Sequence, residues 1–258
     1  MMRLFGSEMT RLASRRLLRW TFVLFCGAIL LIGVLVFVND SNGTFTERDV
    51  QDALMGLSLP LLMLGWLVGA SAIGAEWGNR TVSALLTWEP RRTRVLVAKA
   101  AAACGTAALL VVALEIVFTA VMMPVAWAAD PTFVPVDPSF ESIDPFSWAT
   151  YAATAGRITL VSVLAGAFGF ALATIGKNTA AALGGGMAYL LIVESLVRNY
   201  LPESSKWLLS TNIIRVIEGG APGGVEAYTT TGAASVLALY AVGLLLVALW
   251  FFRRREMA

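Results

Sequence analysis

The sequence contains no histidine. That absence removes histidine-based triads, HExxH zinc sites and the commonest general base at neutral pH. Only two cysteines occur, Cys26 and Cys104, far apart and without CxxC spacing, which excludes a disulfide framework or a cysteine-ligated zinc site. Charge is scarce as well: 14% of the 258 residues are charged, where soluble domains average about 25%. With 58% of residues apolar and a mean hydropathy of +0.75, too little polar surface remains to keep a globule of this size in water. The soluble enzyme classes are excluded on that ground. Net charge is only +2, so no overall field recruits nucleic acid, and what matters is where the charges lie.

Long apolar runs take the place of charge. A bilayer core about 30 Å thick needs roughly 20 apolar residues in a helix. Runs of that length cover 20–38, 53–75, 98–128, 149–175, 179–197 and 233–252. Backbone hydrogen bonding in lipid makes helices the viable form, so the sequence predicts an all-α integral membrane protein with six transmembrane helices across 20–252. The fourth and fifth runs are separated only by Gly176, Lys177 and Asn178, a tight hairpin with Gly176 as the expected C-cap.

Orientation follows from the basic residues. With the N-terminus inside, the inner segments hold fourteen lysines and arginines and the outer segments four, with Arg157 left inside the fourth run. That asymmetry predicts both termini in the cytoplasm, with 253–258 as a basic cytoplasmic tail. The outer loop from Asp130 to Trp148 has no basic residue, four acids and four prolines, and reads as an irregular external cap. In residues 1–19, Leu4, Phe5, Met9, Leu12, Ala13 and Leu17 follow helical spacing, with Arg3, Arg11 and Arg15 largely opposite. This predicts an amphipathic helix at the inner interface, running into the first span with its arginines toward anionic headgroups. The Ser14 to Arg19 string is similar to a twin-arginine signal, but the apolar run that follows is too long and lacks an AxA site.

The inner loop after the second span, 76–97, holds a helical stretch with Val82, Leu85 and Leu86 on one side, a break at Pro90, and a basic cluster of Arg91, Arg92 and Arg94. A short helix held between two spans acts as a lever, since pressure on it from the cytoplasm moves both spans. A loop that merely fixes topology through its positive charge accounts for the same residues.

The order Glu76, Trp77, Thr81, Val82, Leu85, Pro90, Arg92, Arg94, Ala98 and Lys99 resembles the loop of permease subunits of type-two ABC transporters. The resemblance extends to six spans, a basic interfacial helix, inside termini and a long outer segment before the last span. It implies that Glu76, Arg80, Thr81, Leu85, Pro90, Arg91, Arg92 and Arg94 couple the chain to a separate cytoplasmic ABC ATPase. It also implies a second permease, as a homodimer or heterodimer, in a bacterial plasma membrane. The chain itself cannot hydrolyse ATP by a Walker A loop. Its Gly176-Lys177 pair is followed by Asn178, and Ala171 stands where the first glycine belongs. No cofactor or metal is expected on this chain, and ATP and magnesium belong to the partner subunit.

Three ionisable residues fall inside spans: Glu115, Arg157 and Glu194. Such a charge costs roughly 2.5 to 3.5 kcal/mol at a span centre, so each is expected to face protein or water and to find a partner. Arg157 and Glu194 both fall toward the outer face and are expected to be able to pair. Glu115, near the middle of its span, suits a pathway or gate, or a pairing with Arg157. An ion pair locking outer helix ends and a gating contact both fit. A proton-coupled secondary carrier using Glu115 is the alternative to the ABC reading. The outer segment 198–231 is too short to span and predicts one or two helices on the outer leaflet. Small residues, Gly166, Gly169 and Ala173 in the fourth span and Gly184 to Gly186 in the fifth, are expected to permit close helix packing.

Overall fold

The computed structural model describes residues 2–39, 45–78, 92–128, 146–219 and 229–254. Every regular element among them is helical, and no strand occurs. A short helix α1 (Met2–Ala13) precedes α2 (Arg16–Asn39), α3 (Glu47–Gly78), α4 (Arg92–Ala128) and α5 (Trp148–Gly176). Then come α6 (Thr179–Tyr200), a 3-10 turn (Pro202–Trp207), a short helix α7 (Leu209–Glu218) and α8 (Thr230–Arg254). Six of these, α2 to α6 and α8, are long and apolar enough to cross a membrane. This is the architecture of a multi-pass membrane protein.

Each spanning helix contains its apolar run and most extend beyond it by polar turns. The third run, predicted from 98, starts at Arg92, and the second, predicted from 53, starts at Glu47. Backbone hydrogen bonds continue past the last apolar residue wherever no proline or glycine stops them. The predicted 1–19 helix is divided. A break at Ser14 and Arg15 ends α1 and puts Arg16 and Arg19 in the first turns of α2.

The core forms around α3 and α5, which share the most extensive interface, with α4 and α8 packed beside them. Glycine makes that interface possible. A Cβ on Gly65 would strike the Ser162 carbonyl and one on Gly69 the Gly166 carbonyl, so the two backbones touch along this seam. Gly169 faces the Trp66 backbone in the same way. In α6, Gly186 lies under the Trp66 ring, but Gly184 and Gly185 face open space, so packing explains only one of the three. Just after them the helix widens into a π-turn at Tyr189–Val193. The α5–α6 turn also differs from expectation. Gly176 is the last helical residue, and the left-handed position is taken by Lys177 at φ 53°. Lys177 holds it with its Nζ 5.2 Å from the centre of the Trp77 ring, and Asn178 then caps α6 by accepting from the Ala180 N–H at 2.9 Å.

Candidate functional site

At one end of the bundle, the last turns of α3 and the first turns of α4 flank residues 79–91. Glu76 and Lys99 meet there, the Lys99 Nζ donating to Glu76 Oε1 at 2.8 Å. The same ammonium donates to Glu8 Oε2 of α1, also at 2.8 Å. Arg11 reaches both carboxylates at 3.2 Å, and Arg15 approaches Glu76 at 3.8 Å. Arg15 also donates to the Ser71 and Ala72 carbonyls near the end of α3. Burial lowers the pKa of Arg15, and the neighbouring Glu76 charge opposes that shift. Glu8, Glu76 and Lys99 are all buried. Charges so enclosed persist only when their hydrogen bonds are met on several sides, and here the carboxylates share Lys99 and Arg11.

Trp77, the next residue, faces other neighbours. Its ring meets Phe252 of α8 edge-on at 6.2 Å and carries the Lys177 cation of the α5–α6 turn. Glu76 and Trp77 therefore tie the last turn of α3 to α1, α4, α8 and the α5–α6 turn. Glu76 is buried, so its carboxylate faces this cluster and not the surface. Arg80, Thr81, Leu85, Pro90 and Arg91 lie outside the described residues, as does the side chain of Arg92. Arg94 is half-buried in the first turn of α4.

The three intramembrane charges do not come together. Glu194 is buried on α6, and its carboxylate accepts from the Leu209 N–H at 2.7 Å and the Ser210 N–H at 3.1 Å. Helix α7 starts after Leu208, which has no side-chain acceptor of its own. Glu194 thus supplies from another helix the cap that Leu208 lacks. Arg157 lies at the opposite end of α7. Its guanidinium sits against Gly219, the left-handed C-cap at φ 72°, where a Cβ would overlap it, and its NH2 donates to Thr154 at 2.8 Å. A helix of 10 residues is about 15 Å long, so the expected Arg157–Glu194 pair is replaced by a clamp. The carboxylate occupies the positive end of the α7 dipole and the guanidinium the negative end.

Glu115 meets neither of them. Its Oε2 accepts from Thr159 of α5 at 2.9 Å, while Oε1 is buried without a hydrogen-bond partner. One turn on, the Thr119 hydroxyl donates to the Glu115 carbonyl at 2.7 Å and lies 2.7 Å from the Tyr151 hydroxyl. On α7, Arg215 is buried with Nε and NH1 unpaired, a cation that residue counting places simply on the outer face.

Sequence reasoning missed Glu8, although Leu4, Glu8 and Leu12 are spaced four apart, so an acid interrupts the apolar stripe of α1. It missed the α3 side of the central seam, where Gly65 and Gly69 form a GxxxG pattern. No curated protein matches the chain. Residues 22–258 match a family whose description is a protein of unknown function (DUF2705), so Glu76, Lys99, Glu115, Arg157 and Glu194 fall within the match while all of α1 precedes it. The chain belongs to this family of unknown function.

Proposed function

We propose that the chain is the membrane-spanning permease subunit of an ABC exporter, driven by a separate cytoplasmic ATPase that docks on the inner loop. The observation that carries this reading is the 2.8 Å contact between Glu76 and Lys99 across the two ends of that loop. A loop whose ends are locked together and tied to α1, α3 and α4 transmits a push as one body, whereas a loop that only fixes topology needs no such lock. In this reading the N- and C-termini face the cytoplasm and α1 lies at the inner interface, although Arg11 and Arg15, expected to face headgroups, turn instead to Glu8, Glu76 and the end of α3. A second permease completes the pathway, in a bacterial plasma membrane. The chain contributes no catalytic group, and ATP and magnesium are held by the partner. Replacing Arg91, Arg92 and Arg94 together tests the reading: insertion is retained and ATP hydrolysis is uncoupled from transport or the ATPase is lost. Normal coupling in the triple variant contradicts it.

A second reading, a proton-coupled carrier, draws on the unpartnered Oε1 of Glu115. A buried carboxylate with one oxygen unsatisfied is the arrangement a proton site needs. It predicts transport driven by a proton gradient without an ATPase.

A further inference from the structure

Helices α1 and α2 each lie along α4 yet scarcely touch one another. The break at Ser14 and Arg15 turns the chain sharply enough that a wedge stays open between them. This wedge is a groove of ≈ 380 Å³, with Met9 on one side, Phe22 and Val23 on the other, and Leu109 and Leu110 along its floor. Its one polar side chain besides arginine among the described residues, Thr106, has its hydroxyl turned to the Ala102 carbonyl and the Met9 sulfur. The groove therefore offers an occupant an apolar bed.

Its mouth is different. Arg19 stands at the rim, with one N–H fixed on the Ser14 carbonyl at 3.0 Å. Arg16, one turn earlier on the same face of α2, is exposed and has no protein partner among the described residues. Just behind them the ion cluster holds three cations, Arg11, Arg15 and Lys99, against two carboxylates, Glu8 and Glu76. Among the described residues the acid at this end is spent inside that cluster, and the surplus charge at the mouth is positive. Val23 lies one helical turn, about 6 Å, deeper than Arg19. The site thus has a cationic mouth and an apolar body, in that order from the end of the bundle toward its middle.

We propose that this groove holds an anionic phospholipid, its phosphate between Arg16 and Arg19 and one acyl chain laid along Phe22, Val23 and Leu109. A zwitterionic lipid fills the apolar part equally well but carries a choline cation to the arginines. Selection therefore rests on the headgroup and affinity on the chain. The inference requires that the chain span a membrane and stands apart from the permease reading.

The experiment is native mass spectrometry of the full chain in mild detergent, given equal amounts of phosphatidylglycerol and phosphatidylcholine with identical acyl chains. Two exposed cations at roughly fivefold each give an expected preference for phosphatidylglycerol of about 25-fold. Replacing both as R16Q/R19Q, at exposed positions that leave packing untouched, brings the ratio close to one. Leu109→Trp fills the floor and lowers retention of both lipids while keeping their ratio. Inorganic phosphate added in excess does not displace the lipid. Equal retention of the two lipids by the natural chain overturns the proposal, as does an unchanged ratio in R16Q/R19Q. Full displacement by phosphate overturns it too, because it assigns binding to the anion alone.

Discussion

Lys99 donates to Glu76 and to Glu8 at the same 2.8 Å, although Glu8 stands 91 residues before it in the chain and Glu76 only 23. One ammonium therefore fastens α1 and the end of α3 to the start of α4. The expected sign of its removal follows from burial. Lys99→Met leaves two enclosed carboxylates facing each other without the ammonium they share, and should destabilise the protein by roughly 3 to 5 kcal/mol. Unfolding of the purified chain in detergent measures this. In a double-mutant cycle with Glu8→Gln, the two changes should fall short of additivity by about 0.5 to 3 kcal/mol. Full additivity would show that the contact does not form.

The clamp on α7 makes a different prediction for Arg157 and Glu194. Were they an ion pair, neutralising one would partly relieve the loss of the other. Since they hold opposite ends of one helix, Glu194→Gln should not rescue Arg157→Ala, and the double variant should be less stable than either single one. Glu194→Ala alone should cost about 0.5 to 2 kcal/mol, the usual range for a lost N-cap. Rescue in the double variant would contradict the clamp.

The glycines separate by what stands opposite them. Gly69→Ala places a methyl group into the Gly166 backbone and should force α3 and α5 apart. Gly184→Ala meets nothing within 4 Å and should stabilise the helix by as much as about 1 kcal/mol, the propensity difference between the two residues. Thermal unfolding of the two variants side by side should shift in opposite directions.

Glu115→Gln keeps an acceptor for Thr159 and removes the charge, so folding should survive. In the permease reading, ATP-driven transport continues in this variant. In the carrier reading, transport driven by a proton gradient is abolished. A transport assay in sealed vesicles distinguishes them.

The spanning helices are legible because an apolar run of bilayer length admits few other structures, and each of 20–38 through 233–252 lies within a helix. The ion cluster is only half legible. Lys99 and Glu76 stand out beside apolar spans, but nothing local says that Glu8 meets them, since the contact depends on how α1 folds back after Ser14. Its trace in the sequence is an acid on an apolar stripe. Glu194 shows the limit more sharply. Its burial could be anticipated from its place in a span, while its partners are backbone N–H groups at the start of α7, and backbone groups leave no mark in a residue pattern. The one local hint is that Leu208 cannot cap the helix that follows it.

The most direct test of the permease account is purification of the tagged chain from its native membranes in mild detergent, with mass-spectrometric identification of the proteins that accompany it. The account predicts an ABC ATPase subunit at near-equal stoichiometry. A chain that purifies alone and transports in proteoliposomes under a proton gradient would contradict it.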